Sequence, residues 1–235
     1  MKKVIVFIPE FGGMSPHLKF RESFQKDLYH FQYKYYKEFA IIYDYCTVGP
    51  HLEANRNVCV GRAIEGYHGY MPDITVWLDS DLILPAGILE RLICRDDYKV
   101  VAGMYYAKRG KYPICFRKGV YDEENDIQLY DSVIDYPDKD FEVDYPGEGC
   151  FRIDVSVLKE MKPPYFQWGY RSPLETGQDK IEYLVKYGVR NGAEGAKFFE
   201  QVRSLGHKII VDPKIQCRHI GSTEVGQEDF IKKWR

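Results

Sequence analysis

The sequence predicts an α/β fold in which a mostly parallel central sheet lies between helices, giving αβα layers with a smaller antiparallel elaboration. Two observations support this prediction. Short, continuous apolar runs alternate with helical periodicity through the first part of the chain, which is typical of β-α-β units with right-handed crossovers. From Tyr112 to Asp154 the pattern changes to short strands broken by polar turns, which indicates the antiparallel part.

The first part of the chain supplies the predicted parallel sheet. In chain order we expect strand Lys3–Ile8, helix Pro16–Tyr35, strand Ala40–Tyr45, helix Leu52–Tyr67, strand Ile74–Leu78, a helix starting near Pro85 and strand Lys99–Gly103. Continuous apolar strands are typical of sheets that are covered on both faces. In the second helix the spacing i, i+3, i+4, i+7 is carried by Arg56, Val60, Ala63, Ile64 and Tyr67. The third helix should bury Ile88, Leu89, Leu92 and Ile93.

After the antiparallel part the chain returns to a helix and a strand. Phe198, Val202 and Leu205 form an apolar stripe over Glu194–Leu205, and Gly206 is suited to cap that helix. A further strand is predicted over Lys208–Val211.

Composition excludes several classes of protein. The 235 residues carry 33 basic and 35 acidic side chains, a net charge of −2, so a basic nucleic-acid-binding surface is not expected. No segment approaches the ~20 apolar residues of a membrane span. The six cysteines contain no CxxC pair, which favours free thiols and a cytoplasmic location over zinc binding or disulfides.

The acidic pair that follows the strand Ile74–Leu78 is the main candidate for chemistry. In open α/β sheets ligands bind beyond the carboxyl ends of the strands. Asp79 and Asp81, at i and i+2 on extended backbone, project to one side and suit Mg²⁺ or Mn²⁺. A polar turn with a helix cap is an equal alternative. Asp138 and Asp140 repeat the spacing without a preceding apolar strand and are expected in a solvated turn.

His219 is a second candidate for metal binding. In a strand His219 shares a face with Ile215 and Cys217, so it is either a core histidine or a ligand for an ion such as Mn²⁺.

The glycine pair Gly12 and Gly13 in the loop after the first strand lacks the spacing of dinucleotide-binding and P-loop motifs, which disfavours both classes of protein.

Several segments, taken in order, resemble GT-A-fold glycosyltransferases, particularly family 2 and its small phage- or virus-encoded members. They are Glu53–Asn57, Ile74–Pro85, Val100–Arg109, Gly147–Cys150, the helix at Glu194, and Val211–Pro213 leading to His219–Gly221. The resemblance implies one Rossmann-like domain over residues 1–235, with a nucleotide-sugar-binding half (1–110) and an acceptor and catalytic half (111–235). It implies a nucleotide-sugar donor, UDP favoured, a saccharide or other hydroxyl acceptor, and Mn²⁺ or Mg²⁺.

The same resemblance assigns roles to individual residues. Pro9 and Glu10 would border the base, and Asn55, Arg56 and Asn57 would help to hold base or ribose. Asp79 would reach the ribose or a metal-bound water, while Asp81 and His219 would be metal ligands. Tyr105, Lys108 and Arg109 would line the donor or acceptor side.

The sequence departs from the family at the expected catalytic base. The family usually has Glu-Asp at the start of the helix before the last strand, and its Asp acts as base in inverting enzymes. Here Glu194 is followed by Gly195. Glu194, Asp179 and Glu148, in that order, are the candidates, and each is equally suited to be a surface or capping carboxylate. A retaining mechanism would need no such base.

Two further interpretations stay open. The aromatic stretch Pro163–Tyr170, with Trp168, is suited to border the acceptor by stacking on a sugar, or to pack against the sheet. A nucleotidyltransferase would favour a basic glycine-rich loop after the first strand, and a non-catalytic sugar-binding or scaffold protein would tolerate Gly195.

Overall fold

A computed structural model describes residues 1–10, 16–47, 51–108, 112–122, 127–167, 194–221 and 224–229. Its strands are β1 (Lys2–Pro9), β2 (Phe39–Cys46), β3 (Ile74–Leu78), β4 (Leu82–Ile83), β5 (Val100–Met104), β6 (Phe116–Asp122), β7 (Ile127–Ser132), β8 (Phe141–Val143), β9 (Cys150–Asp154), β10 (Ile209–Gln216), β11 (Arg218–Ile220) and β12 (Glu224–Val225). Its helices are α1 (Leu18–Tyr35), α2 (Leu52–Glu65), α3 (Ile88–Ile93), α4 (Val155–Glu160) and α5 (Glu194–Ser204).

The central sheet has seven strands in the order β2-β1-β3-β9-β5-β10-β8. Strands β1, β2, β3, β5 and β10 run parallel, whereas β9 and β8 run antiparallel to their neighbours. A β6–β7 hairpin and a small β12-β11-β4 sheet form the antiparallel elaboration. The predicted α/β fold is therefore confirmed.

Helices cover both faces of this sheet because the strands expose apolar side chains alternately to each face. Val4 and Val6 pack with the buried residues of α1 and α3, while Ile5 and Phe7 pack with those of α2, α4 and α5. Ile88, Leu89, Leu92 and Ile93 are all fully buried, as the periodicity predicts. The result is the αβα layering expected from the sequence.

Strand β9 is the largest difference from the sequence prediction. It lies inside the segment assigned to the antiparallel elaboration, yet it enters the central sheet between β3 and β5. Cys150, Phe151 and Ile153 are fully buried, and the Phe151 ring stacks on Trp77 at 5.5 Å between ring centroids. Apolar runs indicate burial but do not specify which strands pair, so the sequence pattern alone missed this insertion.

Two predicted boundaries are also corrected. Helix α3 begins at Ile88 rather than near Pro85, because Leu82–Ile83 first forms β4 and Asp27 then accepts hydrogen bonds from the backbone N–H groups of Gly87 and Leu89. His219 does not continue the strand of Ile215, because β10 ends at Gln216 after a register shift and His219 lies in β11 of another sheet.

Within the described residues, no helix combines the length and apolar character that crossing a membrane requires.

Candidate active site

The candidate site forms where β3 ends beside the loop that leads into β9. Asp79 directly follows β3, and its backbone N–H donates to the carbonyl of Gly149 at 2.8 Å. This bond joins the acidic pair to the loop Gly147–Gly149, although the two segments are far apart in sequence. The carboxyl end of the sheet thus gathers side chains from three separate parts of the chain: Arg56, Asp79 and Glu148.

Arg56 is the centre of a buried charge cluster. Only 1% of the residue is exposed, and its Nη2 lies 2.9 Å from Asp79 Oδ1 while its Nη1 lies 3.5 Å from Glu148 Oε2. The guanidinium also lies 5.8 Å from the centre of the Phe166 ring. Burial raises the pKa of Asp79, and the positive charge of Arg56 opposes that rise.

Three groups contact the carboxylate of Glu148. Its Oε1 accepts hydrogen bonds from the Tyr145 hydroxyl at 2.7 Å and from the Gly195 backbone N–H at 2.6 Å, while Arg56 faces Oε2. Burial raises the pKa of the Tyr145 hydroxyl, and the nearby Glu148 charge raises it further, so this tyrosine stays a neutral donor. The carboxylate therefore has a defined orientation.

Both glycines beside Glu148 are required by close contacts. Gly147 has φ +75°, and a Cβ there would lie 2.3 Å from the Tyr105 hydroxyl oxygen. A Cβ on Gly149 would lie 2.9 Å from Asp79 Oδ2. Tyr105 accepts a hydrogen bond from the Gly149 N–H at 3.0 Å. The Gly-Glu-Gly spacing is thus the sequence signal for this loop.

Asp81, His219 and Lys108 form a second group beside this cluster. The pairing of β11 with β4 places His219 opposite Leu82, so its Nε2 lies 3.4 Å from Asp81 Oδ2. Lys108 Nζ lies 2.5 Å from the same oxygen. Burial, the largest influence, raises the pKa of Asp81, but His219 and Lys108 together outweigh it and lower that pKa to about 2.

The other ring nitrogen of His219 fixes its tautomer. Nδ1 lies 2.8 Å from the carbonyl oxygen of Tyr106, which can only accept, so Nδ1 carries a proton. Nε2 therefore faces Asp81, as an N–H donor when the ring is protonated and as a lone pair when it is neutral. A backbone carbonyl that orients the ring in this way is the usual second partner of a metal-binding histidine.

Two side chains in this group, those of Asp81 and His219, are suited to bind a divalent ion. Asp81 offers a carboxylate and His219 an imidazole nitrogen, a donor set that suits Mn²⁺. Asp79 lies next to them but is paired with Arg56. Among the described residues, no group of three or more His, Cys, Asp or Glu side chains is arranged to hold a metal. Further oxygen ligands, such as water, would be needed to complete the coordination.

Other residues expected at the site mainly support its framework. Asn55, fully buried, donates from Nδ2 to the Glu10 carbonyl at 2.5 Å, which ties the end of β1 to α2. The Glu10 carboxylate accepts from the Thr47 hydroxyl, and Pro9 ends β1 in a buried position. Asn57 Oδ1 accepts from the backbone N–H of Phe166 at 3.1 Å, so its amide holds that segment.

Several expected site residues are not described. Arg109, Trp168 and Asp179 lie outside the described residues, as does the side chain of Glu194, the first residue of α5. Within the predicted acceptor stretch, Phe166 is 1% exposed and stacks on Phe198 at 4.4 Å between ring centroids. For Phe166, therefore, packing against the core is the observed role.

The second acidic pair, Asp138 and Asp140, lies in solvent as expected. Both residues are exposed, and Asp140 pairs with Arg95 at 2.6 Å, so the solvated turn is confirmed.

Tyr145, which orients Glu148, was not identified from the sequence. Its only signal was its position three residues before Glu148, which gains meaning once its hydroxyl donates to the carboxylate that also accepts the Gly195 N–H.

No protein-family model matches the sequence, and the search of curated proteins finds no match. Solved structures do match. A197 from STIV aligns at 20% identity with a TM-score of 0.54, over 94% of this chain and 86% of that one. GalNAc-T7 with UDP, GalNAc and Mn²⁺ aligns at 12% identity and a TM-score of 0.48, over 94% of this chain and 43% of that one.

A Drosophila β1,4-galactosyltransferase 7 mutant, solved with manganese, UDP-Gal and xylobiose, aligns at 12% identity with a TM-score of 0.42. That alignment covers 100% of this chain and 74% of the other. At these identities the similarity is one of fold. The fold class expected from the sequence, αβα layers around a mostly parallel central sheet, is confirmed.

Proposed function

We propose that this chain is a metal-dependent glycosyltransferase that moves a sugar from a nucleoside-diphosphate sugar to a hydroxyl group of a saccharide or other acceptor. UDP is the favoured nucleotide. The observation that carries the proposal is the approach of His219 Nε2 to the Asp81 carboxylate at the end of β3. Two ligands of suitable chemistry, brought together from distant segments, support a divalent-ion site at the edge of the sheet where α/β folds bind ligands.

Lys108 strengthens this interpretation. Its ammonium lies against Asp81 and 42% of its side chain is exposed, so it can turn toward a bound anion. A metal ion bound by Asp81 and His219 would neutralise the diphosphate leaving group, which is what glycosyl transfer most needs. Lys108 would add a second positive charge to the same phosphates.

The buried Arg56 holds Asp79 in place beside the metal ligands. Arg56 contacts Oδ1 of Asp79, and Oδ2 lies on the side of Gly149. We assign Asp79 to the ribose hydroxyls or to a water on the metal, as the resemblance implies. The ordered motifs from Glu53 to Gly221 support the same assignment.

Nucleotide binding with and without metal tests the proposal. Titration calorimetry should show that UDP or GDP binds about tenfold or more tightly with Mn²⁺ than with EDTA. Asp81→Ala should remove this metal-dependent gain and leave the circular dichroism spectrum unchanged. Asp138→Ala is the matched control, since Asp138 belongs to the solvated second acidic pair and should bind as the unmodified chain does.

Other outcomes would contradict the proposal. Selective binding of nucleoside triphosphates would indicate a nucleotidyltransferase. Absence of nucleotide binding under all conditions would indicate a non-catalytic protein of the same fold. Equal metal dependence in Asp81→Ala would reject the assigned metal site.

A further inference from the structure

We propose that Glu148 is the catalytic residue that accepts the proton of the acceptor hydroxyl, an inference that rests on the proposed glycosyl transfer. Glu148 is not on the helix α5. It reaches the start of that helix from the loop before β9, and the geometry of Gly195 is the first evidence.

Glu148 and a side chain at position 195 would occupy the same volume. A Cβ placed on Gly195 would lie 2.0 Å from Glu148 Oε1, 2.3 Å from its Cγ and 2.4 Å from its Cδ. No real Cβ tolerates such contacts, so any residue but glycine would displace the carboxylate. Gly195 is therefore the residue that allows Glu148 to place its carboxylate at the first turn of α5.

The two oxygens of Glu148 have different surroundings. Oε1 is anchored by the Tyr145 hydroxyl and the Gly195 N–H, at 2.7 and 2.6 Å. Arg56 Nη1 lies 3.5 Å from Oε2, which is long for a hydrogen bond. The side chain is 14% exposed. Oε2 can thus accept a bond from a substrate while Oε1 keeps the group in place.

Two sources of positive charge face Glu148. The Gly195 N–H belongs to the positive end of an 11-residue helix. The Arg56 guanidinium is the second. Arg56 also contacts Asp79, the residue that directly follows β3. The carboxylates of Glu148 and Asp79 are thus bridged by one guanidinium group.

The reaction step balances as follows. The acceptor oxygen forms a bond to the anomeric carbon while the bond from that carbon to the diphosphate oxygen breaks. The hydroxyl proton moves to Glu148 Oε2, and the electron pair of the broken bond leaves with the nucleoside diphosphate. A single displacement of this kind inverts the configuration at the anomeric carbon.

The functional test is Glu148→Gln, which keeps size and hydrogen bonding but cannot accept the proton. We expect transfer to fall about 10²- to 10⁴-fold, with metal-dependent UDP affinity changed less than about threefold, which is under 1 kcal/mol. Glu142→Gln, in an exposed position of β8, is the matched control and should transfer normally. Near-normal transfer by Glu148→Gln, or a product of retained configuration, would overturn the assignment.

An exchange of the two positions tests whether the place of the carboxylate matters. Gly195→Asp should lose transfer because its side chain collides with Glu148. Combining it with Glu148→Ala removes the collision and places a carboxylate in the same volume, so the double variant should transfer at least about tenfold faster than Glu148→Ala alone. A double variant no faster than Glu148→Ala would contradict the proposal.

A melting experiment examines the same contact without any substrate. Gly195→Ala should lower Tm by about 3–10 °C, and should cause no such loss in the Glu148→Ala background. Equal decreases in Tm in both backgrounds would contradict the claim that Glu148 and a side chain at position 195 would occupy the same volume. Failure of the proposed function is seen separately, as absence of metal-dependent UDP binding in the unmodified chain, whereas failure of this inference alone leaves binding and transfer intact in Glu148→Gln.

Discussion

Replacing Arg56 by methionine should destabilise the fold strongly, because it leaves two carboxylates without their shared cation. Arg56 is 1% exposed and lies 2.9 Å from Asp79 and 3.5 Å from Glu148. Removal of one partner from a buried ion pair costs about 3–5 kcal/mol. The side chains of Asp79 and Glu148 keep 22% and 14% exposure, so water recovers part of that cost. We therefore expect the lower end, about 3 kcal/mol.

The loss should depend on pH. Burial already raises the pKa of Asp79 above its usual 3.8, against the opposing charge of Arg56. A carboxyl group whose pKa is raised by folding contributes stability that is lost as pH rises from the unfolded value through the folded value. Without Arg56 the pKa of Asp79 in the folded state rises further. The destabilisation by Arg56→Met should therefore be smaller at pH 4 than at pH 7.

Urea unfolding followed by tryptophan fluorescence measures this effect. With a slope of about 3 kcal/mol per molar urea, a loss of about 3 kcal/mol moves the midpoint down by about 1 M at pH 7. Arg21→Met, at an exposed position of α1, is the control and should change stability by less than about 0.5 kcal/mol. A loss under about 1 kcal/mol at pH 7, or one that grows on acidification, would refute the reasoning.

Three further changes test how the core and the framework are held. Phe198→Ala should cost about 3–5 kcal/mol, because the fully buried ring stacks on Phe166; a calorimetric Tm near that of the unmodified chain would contradict this. Gly103→Ala should cost about 1–3 kcal/mol in urea unfolding, since its Cβ would lie 2.3 Å from Ile215 Cγ2; an unchanged midpoint would show that the core yields freely. Asp27→Asn should cost about 1–2 kcal/mol, because Asp27 accepts two backbone hydrogen bonds at the start of α3; faster hydrogen exchange confined to that helix would support it, and unchanged exchange would not.

Local sequence patterns predicted the elements that are covered on both faces. The run Ile74–Leu78 was assigned with the bounds that the structure shows, because five consecutive apolar residues leave no solvent-facing side in a strand. The buried face of α3 followed from helical periodicity in the same way. Helix starts were less accurate, as at Ile88, because Asp27 from another helix caps that end.

The sequence also placed Asp79 and Asp81 just after a buried strand, at the edge of the sheet where α/β folds generally bind ligands. It could not assign Arg56 to a charge cluster, since the periodicity of α2 counts Arg56 only as one residue of the inner face. It ranked Glu148 behind Glu194 and Asp179 because no local pattern reveals which distant carboxylate fills the space beside Gly195.

What the sequence by itself determined is therefore the αβα layering and the acidic pair after β3, since both follow from apolar patterns within short segments. The tertiary structure alone decided the insertion of β9, the meeting of Arg56 with Glu148 across 92 positions, and the bond from Gly195 to Glu148 across 47. The physical reason is that burial is a property of each residue type, whereas pairing depends on which distant strands and loops fold together.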